Sequence, residues 1–486
     1  MNHPFRRLST VCAVLGLFSA SAPHSAYAQP GTTAKVPQIK FTDYKLANGL
    51  HVILSVDHSA PVVAVSVTYN VGSRNERPGR TGFAHLFEHM MFQGSQNVGK
   101  GEHMLLIQDN GGTMNGTTNQ DRTNYFETVP SNQLDMALFL EADRMGSLDI
   151  SQANLDNQRA VVQEEKRQSY DNQPYGQTAE NLQNLAFTSF AYKHTTIGSM
   201  ADLNAATLQD VIDFHKIYYA PNNACIAVVG DFNEAAAKRK IEKYFGAIAR
   251  QPDPPAPDTE EKPIVGEQRK VLTDPLARLT QVEIAYKAVS GADADSYPLQ
   301  ILGSILSAGR TGRLYNAITD KRLALNARAG GQMGRGPGLF SFTASIPPGG
   351  SADAVEKVWD AEVSRIQTEG VSEDEVRRAL TQARAAALVG GGGGRGGRGG
   401  GGGFGGMQSV LGRANALTQN AVFYNDPNRV NTQLVNIEKV TAEDVKRVAI
   451  KYLTKSARVV LITNPEQDLD SQFEQAPASE AGKAGN

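Results

Sequence analysis

The sequence predicts an α+β fold formed by tandem duplication, with two halves built to one plan. Residues 203–211 recur in degenerate form as residues 437–445, an offset of 234 positions. Between the two copies lies the Pro-rich segment 251–258, which we expect to be an extended, semi-stiff linker. Each half opens with alternating strands, such as residues 62–69, and continues with mixed helices and strands.

The most informative local pattern is His85-x-x-Glu88-His89, in which a carboxylate lies between two imidazoles four residues apart. On a helix these side chains cover about one third of the circumference and face away from an apolar stripe. Chance produces this pattern in on the order of one such chain in a hundred, and a plain surface helix is the alternative. Because catalytic zinc takes three protein ligands plus water, a further ligand must come from elsewhere.

The best candidate for that third ligand is Glu165, within the helical segment 158–166. On a helical wheel Glu165 falls between Val161 and Val162, whereas Glu164 points about 100° away. A carboxylate on an apolar face is costly unless it is paired or bound to metal. The pattern therefore favours Glu165 as ligand and Glu164 as a solvated neighbour, with an ordinary charged surface run as the alternative.

Glu165 follows His89 by 76 residues, and this combination resembles the pitrilysin/insulinase family of zinc metallopeptidases. The chain is most similar to the short-chain branch, which includes mitochondrial processing peptidase and bacterial homologues. The resemblance covers roughly residues 40–465. It implies two homologous α/β sandwich domains that face each other as a clamshell, each with a mostly antiparallel sheet packed by helices. Further segments that carry it are 71–76, 111–118, 123–125 and 219–231.

The resemblance and the residue chemistry imply the same roles in the first half. Zn²⁺ held by His85, His89 and Glu165 would polarise the scissile carbonyl and lower the pKa of its bound water to about 7. Glu88 would act as general base and then as acid. Gln158 lies seven residues before Glu165, on the same face of the helix, and is expected to hydrogen-bond that ligand as an outer support. Family members commonly carry Glu at this position.

The second half is expected to keep the scaffold and to lack the metal. An alignment of the two halves places Gln300, Gly303 and Ser304 where His85, Glu88 and His89 stand. We therefore expect one zinc ion per chain.

Substrate is expected to bind as an added β-strand. Residues 113–118 and 122–129 are typical of a hairpin with a polar turn. The resemblance implies that its edge at Asn115 and Gly116 pairs with an extended peptide, Gly116 allowing close backbone approach. A plain hairpin with Asn in a turn is the alternative. Strand addition would select unfolded peptides and exclude folded proteins.

A departure from the family lies in the second half, where active single-chain relatives carry an Arg and a Tyr that hold the substrate carbonyl. Arg313 matches the Arg, but Leu325 stands where the Tyr is expected. Either this chain works as a homodimer, or a paralogous chain without the zinc motif supplies the missing donors in a heterodimer. A surface role for Arg313 is the plain alternative.

Residues 1–28 resemble a secretory signal, with Arg6 and Arg7, a short apolar run and a small-residue cleavage site before Gln29. No later stretch reaches the ~18 apolar residues of a transmembrane helix. A net charge of −2 gives no reason to expect a nucleic-acid partner. We therefore expect an exported protein, periplasmic or extracellular, without a transmembrane segment.

The expected organisation gives each part of the chain a role. A Gly-rich insertion interrupts the second half, and we interpret it as a surface loop, with a gate or subunit contact as alternatives. Its two Arg are too few for the nucleic-acid binding that Arg-Gly-Gly repeats otherwise suggest. The parts are the signal peptide 1–28, N-terminal linker 29–40, zinc-binding peptidase domain 41–250, Pro-rich linker 251–265, metal-free domain 266–465 with the insertion at 390–406, and a disordered tail 466–486.

Two classes of function fit these observations. The first is a zinc-dependent endopeptidase that hydrolyses extended or unfolded peptides inside a chamber. The second is a family member without independent activity, either a zinc-carrying subunit that needs a paralogue or a non-catalytic, chaperone-like assembly protein. The intact set of His85, Glu88, His89 and Glu165 favours the enzyme, because a scaffold has no physical need for it.

Overall fold

The computed structural model describes residues 38–389 and 406–466. Within these two ranges no helix has the length and apolar character needed to cross a membrane. Several predicted segments lie wholly or almost wholly outside the described residues: the signal peptide 1–28, the linker 29–40 apart from its last three residues, the insertion 390–406 apart from its last residue, and the tail 466–486 apart from its first.

The first half contains a six-stranded sheet. Its strands are β1 Thr42–Lys45, β2 His51–Val56, β3 Val62–Tyr69, β4 Thr113–Thr118, β5 Thr123–Pro130 and β6 Ala224–Gly230. They lie in the order β1-β2-β6-β3-β5-β4, in which β2 and β6 are parallel and all other neighbours antiparallel. Strand β6 is apolar along its whole length and fully buried, so the centre of this sheet needs a cover on both faces.

The first half contains nine α-helices among the described residues. Most of them cover one face of this sheet, and α5 packs on the second half. They are α1 Phe83–Met90, α2 Glu102–Asp109, α3 Leu134–Ser147, α4 Gln152–Lys166, α5 Thr178–Ala186, α6 Phe190–Lys193, α7 Met200–Asn204, α8 Leu208–Tyr218 and α9 Glu234–Phe245.

The second half repeats this plan with a five-stranded sheet. Its strands are β7 Gln268–Asp274, β8 Thr280–Lys287, β9 Asn326–Gln332, β10 Leu339–Ile346 and β11 Arg458–Pro465. They lie in the order β7-β11-β8-β10-β9, with β7 and β11 parallel. Its helices are α10 Ser296–Ser307, α11 Ala352–Glu369, α12 Glu373–Val389, α13 Val410–Tyr424, α14 Arg429–Ile437 and α15 Ala442–Tyr452.

The repeated segment forms the same capped helix in both halves. Thr207 caps α8 and exchanges hydrogen bonds with Asp210, and Thr441 caps α15 and exchanges the same bonds with Asp444. Each pair is a capping box, in which side chains satisfy the free N–H groups of the first helical turn. The sequence repeat is therefore also a structural repeat.

The two halves exchange one helix each. Helix α13 of the second half packs on β3 and β6, where Thr418 joins a buried network with Ser66, Thr68 and Asn124. In return α5 of the first half packs on β8 and β11. Each sheet therefore has its own helices on one face and a helix of the other half on the opposite face. The prediction of an α+β fold with two mostly antiparallel sheets is confirmed.

Candidate metal centre

Helix α1 begins directly after Gly82, whose φ of +87° lies in the left-handed region. A Cβ at this position would lie 2.6 Å from the carbonyl oxygen of Ile197, so only glycine fits the turn. The buried carboxylate of Glu76 accepts hydrogen bonds from the N–H groups of Gly82 at 2.9 Å and Ala84 at 2.8 Å. His194 Nε2 lies 2.9 Å from the same carboxylate. Glu76 and His194 thus fix the start of the helix that carries the motif.

Three side chains with metal-ligand chemistry meet between α1 and α4. Glu165 Oε2 lies 3.6 Å from His85 Nε2 and 3.3 Å from His89 Nε2. In a tetrahedral zinc site with ligand distances of about 2.0–2.2 Å, donor atoms lie about 3.3–3.6 Å apart. The two distances to Glu165 match this spacing, all three donor atoms lie within 4.8 Å of one another, and their chemistry suits Zn²⁺.

The electrostatics of this trio favour a cation between Glu165 and His89. Burial and the neighbouring His89 lower the pKa of His85 to about 4. Burial acts to lower the pKa of His89 as well, but the hydrogen bond with Glu165 and the charge of Glu88 raise it above its ordinary value. The same hydrogen bond lowers the pKa of Glu165 against the effect of burial. A proton or a metal ion can supply the positive charge that this arrangement stabilises.

Glu88 lies beside the trio and is buried. Burial raises the pKa of its carboxyl group, and a hydrogen bond from Thr118 opposes that shift. Its Oε2 atom is buried without a hydrogen-bond partner in the described part of the chain. A Cβ at Gly116 would lie 3.2 Å from Glu88 Cγ and 3.2 Å from the ring of Phe92. Gly116 therefore makes room for Glu88 and Phe92, a reason that differs from the expected approach of a substrate backbone.

Sequence reasoning missed two residues that act on Glu88. Thr118 donates the hydrogen bond just described, and the positive charge of Arg122 stabilises the ionised form of Glu88. Arg122 is itself buried, which lowers its pKa to about 10, and it donates to the Thr117 carbonyl at 2.8 Å. The period of two along a strand could have indicated Thr118, since it shares a face with Gly116.

The environment of Glu165 differs in part from the prediction. Glu164 is solvated and bonded to Arg167 and Gln168, as expected. Val161 is 43% exposed, however, so Glu165 faces the two imidazoles at the open side of α4 and not an apolar sector. Gln158 hydrogen-bonds His89 and Asn157, and it therefore supports a different ligand from the one predicted. The helical wheel separated Glu165 from Glu164 as the structure does, although Glu165 lies opposite α1 and next to the exposed Val161.

Of the predicted substrate-binding residues, Asn115 and Gly116 lie on β4, the outer edge of the first sheet, next to α1. Arg313 lies elsewhere. Its guanidinium donates to both carboxylate oxygens of Glu375 at 2.6 and 2.9 Å, to Glu362 and to the Gly370 carbonyl. All of these partners belong to the second half, and the structure does not bring Arg313 to the metal-ligand trio.

A second group of ligand-type side chains lies in the core of the first half. His103, Glu127 and Glu141 each bring one donor atom within 4.8 Å of the others, and all three are buried. Arg144 is also buried here and donates to both oxygens of Glu141. Its guanidinium already supplies a positive charge, and burial together with the charge of Glu141 raises the pKa of Glu127. A shared proton therefore satisfies this group better than a second dication.

Comparison with known proteins identifies the family. The sequence profile described as "Insulinase (Peptidase family M16)" matches residues 51–199, and the profile described as "Peptidase M16 inactive domain" matches residues 205–383. The chain is 31% identical over 350 residues to the zinc protease PqqE of Helicobacter pylori, which covers 71% of this chain and 79% of that protein. The chain belongs to the M16 family of peptidases.

Other relatives agree in sequence and fold. A probable mitochondrial-processing peptidase subunit beta of Arabidopsis thaliana is 25% identical over 92% of this chain and 82% of its own length. The crystal structure of a protease from Helicobacter pylori superposes with a TM-score of 0.80 at 28% identity, covering 88% of this chain and all of that chain. The predicted resemblance to the insulinase family is confirmed.

Proposed function

We propose that this M16 family member is a zinc-dependent endopeptidase that hydrolyses extended or unfolded peptides. The observation that carries the proposal is the spacing of His85, His89 and Glu165, whose donor atoms lie 3.3 and 3.6 Å apart beside the buried Glu88. One Zn²⁺ per chain is proposed, because Gln300, Gly303 and Ser304 occupy the corresponding helix of the second half. The relatives named as zinc proteases support this choice of metal.

Three side chains beside that ion have separate roles in the proposed reaction. When bound, zinc would polarise the scissile carbonyl and lower the pKa of a water molecule. Glu88 takes the proton of that water on its unpartnered Oε2 and returns it to the leaving amine. Thr118 holds the other side of the carboxylate in place, and the charge of Arg122 favours its ionised form against the effect of burial.

The substrate is proposed to bind along β4, the outer strand of the first sheet. A strand edge offers a row of unpaired N–H and C=O groups, to which an extended peptide can add by backbone hydrogen bonds. Because Gly116 on this strand lies against Glu88, a peptide paired there would pass close to the metal ligands. Folded proteins cannot present such a free strand, which explains the proposed preference for unfolded segments.

The decisive experiment compares Glu88→Gln with Glu164→Gln. Both variants lose one carboxylate charge next to a zinc ligand in sequence, but Glu164 is solvated and points away from the site. We expect Glu88→Gln to lower kcat/KM on an unfolded fluorogenic peptide by about 10³-fold while bound zinc stays stoichiometric. We expect Glu164→Gln to retain both. Unchanged activity in Glu88→Gln, or purified protein without zinc affinity, would exclude the proposed mechanism.

A second candidate is a zinc-carrying subunit that needs a paralogous partner. It is favoured by the second half, where Arg313 is held by Glu375 and Leu325 is 57% exposed in place of an expected Tyr. The Arabidopsis relative is likewise named as a subunit. If the purified chain alone, as monomer or homodimer, hydrolyses peptide with full kcat/KM, no partner is required; activity that appears only after a paralogue is added favours the second candidate.

We also propose that the protein acts in the periplasm or outside the cell. The basis is the secretory pattern of residues 1–28, with its basic start, apolar run and small-residue cleavage site.

A further inference from the structure

A cleft of about 480 Å³ lies where the first half, the Pro-rich linker and the second half meet. The first half contributes the end of β1 and the segment that follows β3, and the second half contributes the β9–β10 connection. The metal ligands His85, His89 and Glu165 do not line this cleft. Its lining includes Lys45, Asn70, Arg74, Asn75, Arg250 and Arg335.

The residues that line the cleft carry more positive than negative charge. Lys45, Arg74, Arg250 and Arg335 bring four cations, whereas Asp253 is the lone carboxylate among the lining residues described. Arg250 donates to Asp253 at 2.7 Å, so this pair is neutral. Behind the wall, Asp121 lies 3.5 Å from Arg74 and balances one more charge. The side chains of Lys45 and Arg335 form no ion pair in the described part of the chain, although Asp121 also accepts a hydrogen bond from the Arg335 backbone N–H at 2.8 Å.

Two of these cations are held unusually close together. Arg74 donates to Asn70 Oδ1 at 3.0 Å, and Arg335 donates to the same oxygen atom. Arg74 is 6% exposed, and its Nε has no acceptor in the described part of the chain. Burial and the charge of Arg74 lower the pKa of Arg335. Two guanidinium groups that share one neutral acceptor repel each other. Asp121 offsets part of this repulsion, and a bound anion would offset the rest.

We propose that this cleft binds a small oxyanion with two or more negative charges, held by Arg335, Arg74 and Arg250. Guanidinium groups present planar forks of N–H donors that match phosphate and carboxylate oxygens. The volume of about 480 Å³ suits a diphosphate-sized or small polycarboxylate ligand. Asn75 adds a neutral amide donor to the same wall. Because Arg335 belongs to the second half and Arg74 to the first, such a ligand also tightens the junction between them.

Calorimetric titration of the full, metal-free chain with sodium pyrophosphate tests the site, because removing zinc prevents the anion from binding to the metal. We expect one saturable site and an increase in Tm of about 2 °C or more at excess ligand. Replacing pyrophosphate with citrate at the same ionic strength distinguishes a phosphate ligand from a polycarboxylate ligand. Sodium chloride at that ionic strength is expected to give neither saturation nor the Tm increase.

Arg335→Gln is the main variant, since it removes the charge but keeps the backbone N–H that donates to Asp121 at 2.8 Å. Its affinity for pyrophosphate is expected to fall at least about tenfold. Arg250→Gln, at the exposed rim of the cleft, should also weaken binding and does not disturb the junction. Arg278→Gln, on the exposed β7–β8 connection, is the charge-matched control and should bind like the parent chain. Absence of saturable binding, or equal affinity in all three variants, would overturn the proposal.

Discussion

In the first half, α1 carries His85, Glu88 and His89 and packs on the edge hairpin, and in the second half α10 carries Gln300, Gly303 and Ser304 and packs on β9. The helices contact corresponding strands, yet the spaces between them differ. Gly116 on β4 faces the side chain of Glu88, and a Cβ at Gly116 would lie 3.2 Å from Glu88 Cγ. In the second half a Cβ at Gly303 would lie 2.9 Å from the Cα of Gly330.

The residue on the helix therefore decides what each half can hold. In the first half glycine lies on the strand alone, and the helix can carry a carboxylate into the space between helix and sheet. In the second half both facing positions, Gly303 and Gly330, are glycine, so backbone approaches backbone and leaves no space for the side chain of a catalytic base. The second half lacks both the side chains of the site and the space for them, so a single substitution would not create a site there.

The largest expected difference between the halves comes from removing a predicted zinc ligand. We expect His85→Ala to abolish stoichiometric zinc binding and to lower kcat/KM by about 10³-fold or more, because two ligands hold the ion poorly. Gln300→Ala, at the corresponding position of α10, should change neither quantity. Zinc per chain by mass spectrometry and hydrolysis of an unfolded peptide measure both effects. Full zinc occupancy in His85→Ala would show that His85 is not a zinc ligand, and the contrast between the two halves would not hold.

An intermediate effect is expected from adding one methyl group to each glycine. Gly303→Ala should destabilise the fold by about 1–2 kcal/mol, since the new Cβ meets the Gly330 backbone and cannot move aside cheaply. Gly116→Ala should cost less than about 1 kcal/mol, because Glu88 and Phe92 can shift, but it should reduce kcat through displacement of Glu88. Urea unfolding and peptide kinetics separate the two outcomes. Equal destabilisation without loss of kcat in Gly116→Ala would contradict the argument.

The smallest expected effect concerns how each helix is held at its start. Glu76 holds α1, whereas Asp295 at the start of α10 accepts from Arg447 at 2.7 Å, Lys451 at 2.8 Å and Tyr452 at 2.7 Å. Burial acts to raise the pKa of Asp295, but these three bonds lower it from 3.8 to about 2.

Because the folded pKa of Asp295 lies below the ordinary value, its contribution to stability is present above about pH 4 and is lost as the pH falls through about 2. Asp295→Asn should therefore lower the free energy of unfolding by about 1 kcal/mol at pH 7 and by progressively less between pH 4 and pH 2. Urea unfolding across this range is the measurement. In Glu76→Gln the loss should not follow this window, since burial raises the pKa of Glu76. An Asp295→Asn effect that is constant with pH would refute the assignment.

Much of this molecule could be predicted from residue patterns. The two-fold repeat, the α+β class and the helical spacing of His85, Glu88 and His89 depend on local periodicity and on capping residues, which are written into neighbouring positions. The partner of Gln158 was predicted to be Glu165 and is His89, because a helical wheel gives the direction of a side chain but does not say which element lies there. Thr118 and Arg122 were missed for the same reason, since their effect on Glu88 depends on where the hairpin meets α1.

The sequence by itself determined the motif helix, the repeat and the family resemblance, because each depends on spacing along the chain. The tertiary structure alone decided that Glu165 Oε2 lies within 3.6 Å of both imidazoles, that the halves exchange α5 and α13, and that Arg74 and Arg335 share one acceptor. These contacts join residues far apart in the chain, and their geometry follows from how two sheets bury their apolar faces. No local pattern records that packing.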